Sequence, residues 1–224
     1  MAMQDRAVRT RRALVQAAAE VFAREGFVQA SLTSISRTAG VSTGALHFHF
    51  ESKLELALAV EGEACRILRE QICGQGGDPD GSRCTHPLQR LIEATHLLLL
   101  RLRDDPVVRA GFGLGARGAL GPDGGAGLRG QWRRWVEEVL DEAGRRGELA
   151  EGVVGADAAL AVVAATVGFE AMSVGAPEWL DPATADRFWG VMLPRLAAPP
   201  ILDRNRRHPA NRGALVPADP AAGL

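Results

Sequence analysis

The residues between Thr33 and Lys53 have the types and spacing needed to hold phosphates and read base edges. Hydroxyls stand at Thr33, Ser42 and Thr43, imidazoles at His47 and His49, and a single cation at Lys53. Thr33 and Ser42 each precede a short stretch of helical spacing, where a side-chain oxygen can cap a helix. Gly40 lies between the two stretches and supplies a tight turn. A short helix over about 34–39, a glycine turn and a second short helix over about 43–49 make a helix-turn-helix layout. That layout sets its second helix in the major groove of DNA. Phosphates are dense along the groove, so the neighbouring helix ends should carry hydrogen-bond donors. Lys53 falls in the first turn of the next predicted helix, where the dipole favours acids. An anionic partner explains a lysine there. Arg6, Arg9, Arg11 and Arg12 precede the apolar face of the first predicted helix, within reach of phosphates or the minor groove. The same layout, taken alone, also fits a generic pair of helices with polar caps.

Other chemistries find less support. Gly113, Gly115 and Gly118 match the spacing of a dinucleotide-binding loop. That chemistry needs a strand before the glycines and a helix starting at them. Asp105-Pro106 instead opens a helix just before, and Gly121-Pro122 breaks the chain just after. A dinucleotide-binding enzyme is therefore a remote alternative. His47 and His49 are two apart and point to different helix faces, and no cysteine or acidic cluster joins them. No metal site, cofactor or catalytic residue is expected. Neither a nucleophile elbow nor paired carboxylates in a cleft are found, so no enzymatic activity is expected.

These candidates must be carried by helices. The chain has 224 residues, 46% hydrophobic and 24% charged, with a formal net charge of -1, as in an ordinary globular protein. Its near-neutral balance excludes a wholesale nucleic-acid coat protein. Lys53 is the only lysine among 26 basic residues. Leu14, Ala18, Val21 and Phe22 define one face of a helix over about 8–25 that Gly26 stops, with Phe27 turning back into the core. Ser52-Lys53-Leu54-Glu55 is a capping box that opens a long helix to about Gly74. Further helices open at Pro87, Asp105-Pro106, Asp157 and Asp181-Pro182, and one carries Trp132, Trp135, Val136 and Leu140 up to Gly147. The stretch 111–130 holds nine glycines and predicts a weak helix fraying into a loop. No alternating strand pattern occurs, so the class is all-α. From Pro199 the tail holds five of the twelve prolines and is expected to be disordered. Cys65, Cys73 and Cys84 read as reduced thiols. The longest apolar run, about 158–169, is short of the ~20 residues that span a bilayer. A cytoplasmic protein with no membrane partner is expected.

Residues 6–55 resemble the N-terminal domain of the TetR family of transcriptional regulators. Thr10-Arg11, Ala17 to Phe27 and Ile35 to Lys53 carry the likeness, and Ala39 to Lys53 is its most specific part. Phe48-His49-Phe50, Asp104 to Gly111 and Trp132 are similar to one branch, the γ-butyrolactone-receptor-like (A-factor-receptor-like) regulators of antibiotic production. Thr43 stands where the family often has lysine, and His47 where it often has tyrosine. The resemblance implies a TetR-like fold: a helix-turn-helix DNA-binding domain over 1–52, a helical ligand-binding and dimerisation domain over 53–198, and the tail over 199–224. It implies a homodimer, joined through its last two helices, on a near-palindromic double-stranded operator. The DNA-binding residues expected are Thr33, Ser42, Thr43, Gly44, His47, His49, Lys53, Arg9 and Arg11.

The resemblance also implies a small-molecule inducer whose binding releases DNA, a γ-butyrolactone, butenolide, furan or antibiotic. Such pockets are apolar with a few orienting polar groups. Trp132 is the expected aromatic wall, with Gln131, Thr166 and His96 as polar contacts. Trp132 and Trp135 at i, i+3 fit a core-facing stripe equally well. The alternative function is a regulator of the same fold with a multidrug ligand or none.

Overall fold

The structure, a computed structural model, describes residues 2–74, 86–115 and 127–202. Its regular elements are helical, joined by one isolated bridge between Leu149 and Ala197. The chain divides into two compact units, residues 1–75 with 101–132 and residues 76–100 with 133–224.

The first unit holds α1 (Ala2–Gln29), α2 (Leu32–Thr38), α3 (Thr43–His49), α4 (Lys53–Gly74) and α6 (Pro106–Leu114). α1 starts at Ala2, earlier than the apolar pattern predicts, so all four arginines from Arg6 to Arg12 lie on the helix. The reason is local: alanine, methionine, glutamine and arginine form helix readily, and no breaker stands before Val8. The helix is interrupted at Gly26 (φ 77°), and the Phe27 ring turns back to lie 5.7 Å from Phe22. α2 is capped by Ser31, not by Thr33 as expected. The Ser31 hydroxyl accepts the Ser34 N–H at 3.0 Å, and Thr33 sits inside the first turn. Extended backbone at Ser31 is the geometry a cap requires. Gly40 makes the turn at φ 66°, where a Cβ would be strained. Ser42 caps α3 by accepting the Ala45 N–H at 3.1 Å, and Asp105 caps α6 through Val107 and Val108, both as the sequence predicts. Leu14, Ala18, Ile35, Leu46, Phe50, Leu56 and Val60 are buried in this unit.

α4 and α6 meet through their smallest residues. A Cβ on Gly111 would stand 2.5 Å from the Ala64 Cβ, so the two backbones approach only because Gly111 has no side chain. α4 packs on α1 and α6, and the expected boundary at residue 52 falls inside this unit.

The second unit holds most of α5 (Pro87–Asp104) and α7 (Leu128–Arg145), with α8 (Gly155–Met172), a short 3-10 turn at Pro177–Leu180 and α9 (Pro182–Leu196). Glu148, just past α7, is 2% exposed. Its carboxylate accepts the Leu88 N–H at 3.0 Å and lies 2.7 Å from the His86 Nδ1, capping α5 from across the unit. α8 starts two residues before the expected Asp157, which falls in its first turn. Ala158, Ala159, Val162, Thr166 and Phe169 make its buried face. Apart from Asp157 and Glu170, the rest of α8 is also apolar. The helix is long and apolar enough to cross a membrane by length and composition only, and 22% of it is buried. After Pro199 the chain continues as a helical turn through Leu202. The remainder of the tail, the link over 75–85 and most of the glycine-rich loop lie outside the described residues.

Gly111→Ala is expected to destabilise the fold by about 1–3 kcal/mol through overpacking. Adding Ala64→Gly should recover part of the loss in thermal melts. Simple additivity of the two changes would show that the close approach does not constrain the fold.

Candidate nucleic-acid interface and ligand site

α3 is short enough that its burial pattern fixes its orientation. Leu46 is fully buried and Phe50, at its C-terminal cap, is 1% exposed. These residues, four apart, define the inner face. Thr43, Gly44, His47 and Phe48 are exposed and form the opposite face at i, i+1, i+4 and i+5. A side chain on Gly44 would meet only open space beyond the Ser42 hydroxyl. The Thr43 hydroxyl lies 3.4 Å from that of Ser36, which ties the start of α3 to α2. His49 is half-buried and meets the Phe48 ring edge-on at 5.2 Å. Thr33 and Ser42 are exposed.

Phe48 is the functional candidate that the sequence reading passed over. It is 82% exposed, with nothing in the core to pack against. The signal was present in the pattern, since Phe48 falls midway between two core positions four residues apart. An exposed aromatic on a groove-reading face supplies apolar contact to a thymine methyl group.

Two basic candidates lie on α1, two residues apart and so on different faces of it. Arg9 and Arg11 are exposed, and the Arg11 guanidinium stacks over the Phe50 ring at 4.9 Å. Lys53 has a different employment from the one its position suggests. Its ammonium donates to the carbonyls of Phe27 (2.8 Å), Val28 (3.1 Å) and Ala30 (2.9 Å), and lies 4.7 Å over the Phe27 ring. An ammonium has three donors, and all three are used. The anionic partner that a lysine here calls for is the row of unpaired carbonyls ending α1, which carries partial negative charge. Ser52 and Glu55 complete the expected cap of α4, Ser52 accepting the Glu55 N–H and Glu55 accepting the Glu51 N–H.

The expected ligand residues are divided. Trp132 and Gln131 belong to the first unit, Thr166 and His96 to the second. Trp132 is 3% exposed. The Gln131 side chain accepts from Arg69 at 3.3 Å. Beside it on α4, burial pushes the Cys65 thiol up to about 11, which keeps it protonated. Burial also raises the Glu61 carboxyl, against the lowering effect of its bond from the Leu128 N–H. In the second unit the Thr166 hydroxyl is fully buried and donates to carbonyls of its own helix. His96 places Nδ1 2.9 Å from the Ile92 carbonyl and Nε2 2.9 Å from the Asp186 carboxylate, tying α5 to α9. No cluster of metal-ligating side chains occurs among the described residues.

The model of the bacterial regulatory proteins of the TetR family matches residues 14–60, the span that contains α2, α3 and Lys53. The A-factor receptor protein of Streptomyces griseus is 32% identical over 208 residues, covering 90% of this chain and 69% of that protein. The structure of a γ-butyrolactone receptor described as ArpA-like has a TM-score of 0.75 over 93% of this chain and 95% of its own, at 24% identity, a likeness of fold. The TetR family protein CprB of Streptomyces coelicolor, solved in complex with its biological operator sequence, has a TM-score of 0.73 at 27% identity over 89% of this chain and 94% of its own.

Phe48→Ala is expected to weaken specific DNA binding by about 1–3 kcal/mol and to leave the melting temperature unchanged. Leu46→Ala, at the buried position two residues earlier, should destabilise the fold by about 2–5 kcal/mol. Melting curves and DNA titrations on both variants read the contrast.

Proposed function

This chain belongs to the TetR family of transcriptional regulators, close to the γ-butyrolactone receptors, and from that premise we propose that it is a homodimeric repressor released from its operator by a small signalling molecule. The observation that carries the DNA reading is the exposed face of α3, where Thr43, Gly44, His47 and Phe48 stand opposite a buried leucine. Arg9, Arg11, Thr33 and Ser42 flank it as phosphate contacts, with His49 behind. Lys53 holds the frame. The protein works where the DNA is, in the cytoplasm.

The dimer reading is supported by the outer faces of α8 and α9. Leu160, Met172 and Val191 are 70%, 52% and 70% exposed. Phe169, Trp179, Phe188 and Met192 line a neighbouring cavity of about 550 Å³. Large apolar side chains left in water mark an interaction surface, and a second copy of the same faces would cover them by two-fold symmetry. A symmetric dimer presents two recognition helices, which calls for a near-palindromic operator with half-sites about one helical turn apart.

The ligand is proposed to be γ-butyrolactone-like, because the A-factor receptor aligns along nearly the whole chain. Trp132 and Gln131, both of the first unit, are the residues proposed to meet it. Such a ligand releases DNA only by binding the DNA-free state better, with a coupling of about 1–3 kcal/mol.

Site selection from random duplexes is the test. Two-fold-symmetric sites are expected, and Leu160→Glu should yield monomers in sedimentation and lose those sites. Recovery of asymmetric sites by a monomeric wild type would refute the proposal. For the ligand, Trp132→Ala should bind operator normally while responding less to added γ-butyrolactone. A full response would remove Trp132 from the pocket.

A further inference from the structure

A second cavity, of about 700 Å³, opens within the first unit among α1, α4 and the start of α6. Val15, Ala59, Ile67 and Val107 give it apolar walls, and Arg11 and Arg12 stand at its edge. The other ionised groups around it are already engaged. Asp105 accepts two backbone N–H groups as the cap of α6. Glu63 is gripped by Arg66 at 2.6 and 2.9 Å, and Arg66 also binds Glu70. That grip holds the Glu63 carboxyl below the usual carboxylate range. Arg12 is exposed and makes no hydrogen bond among the described residues, and its charge adds to that of Arg66 in holding the Glu63 carboxyl down. A guanidinium whose N–H groups are not hydrogen-bonded, beside an apolar-walled cavity, matches a ligand with a carboxylate head and an apolar body, since guanidinium binds carboxylate through paired N–H groups.

We propose that this groove binds a small amphipathic carboxylate, with Arg12 and Arg11 holding the head group and the α1–α4–α6 walls covering the tail. The ligand is anionic and its site lies wholly in the DNA-reading unit, which separates it from the neutral inducer proposed above. Its effect on DNA rests on the operator-binding reading. Arg11 is one of the proposed phosphate contacts, and a guanidinium neutralised by a carboxylate is lost to a phosphate. Occupancy of the groove therefore weakens operator binding and lowers its salt dependence.

The test is calorimetric titration of the full chain with octanoate and with 1-octanol, in the absence of DNA. Octanoate should bind at least about tenfold more tightly than octanol, a difference of about 1.4 kcal/mol. Arg12→Gln should lose about that factor and Arg12→Lys should keep most of the binding. Arg12 is exposed on α1, so neither variant disturbs the core. With operator present, saturating octanoate should lower the affinity of the wild type and leave that of Arg12→Gln unchanged. Equal binding of octanol, or full octanoate binding by Arg12→Gln, would overturn the site. Octanoate that saturates the protein without altering operator affinity would overturn its antagonism of DNA. Because the first titration contains no DNA, a chain that takes octanoate but selects no operator refutes the regulator reading and leaves the groove standing.

Discussion

Lys53 donates all three of its ammonium N–H groups to the carbonyls that end α1, and the geometry of the DNA-reading unit follows from that clasp. The last carbonyls of a helix have no partners of their own. Here the first residue of α4 supplies them, so the end of α1 and the start of α4 are held together. α2, the glycine turn and α3 lie in the chain between these two points. With its ends fixed, the helix-turn-helix needs only a few buried residues, Ile35, Leu46 and Phe50, to fix its orientation. A second cation does the same elsewhere in this unit. Arg109 of α6 donates to the carbonyls of Leu102 and Arg103 at the end of α5. Both devices tie the last carbonyls of one helix to a cation on a later helix, where those carbonyls would otherwise be left to water.

The parts of this arrangement that obey local rules were legible in the sequence. Gly40, the Ser42 cap, the Ser52–Glu55 capping box and Asp105-Pro106 each depend on residues within four positions of one another. The Lys53 clasp was not legible in the same way. Its carbonyls are 23 to 26 residues distant, and backbone oxygens leave no mark on residue type. The sequence showed only that a lysine at a helix start needs an anionic partner, and a phosphate met that need as well as a helix end. The choice of Ser31 over Thr33 was ambiguous because two hydroxyls two residues apart both precede helical spacing. The early start of α1 was hidden because arginine-rich helix has no apolar face. Phe48 was hidden because an aromatic is ordinarily read as core.

In the second unit the sequence showed that α8 is apolar nearly all round, and burial decides what that means. A helix sunk in a monomer would be covered on every side. This one keeps Leu160 and Met172 in water, so its outer face is left uncovered by the described residues. The polar residues expected around an inducer are meanwhile engaged in the structure itself, His96 between two helices and Gln131 with Arg69. A ligand that uses them must compete with those bonds, and that competition links its binding to helix position.

The clasp is tested most directly by Lys53→Met, measured in parallel for thermal melting and for operator affinity as a function of salt. Unpairing the end of α1 should cost about 1–3 kcal/mol of stability, a melting shift of about 2–4 °C per kcal/mol in a chain of this size. Operator affinity should fall with it while the salt slope stays the same, because no phosphate contact is removed. An unchanged melting temperature with a slope reduced by about one would contradict the account and put the Lys53 ammonium on the DNA.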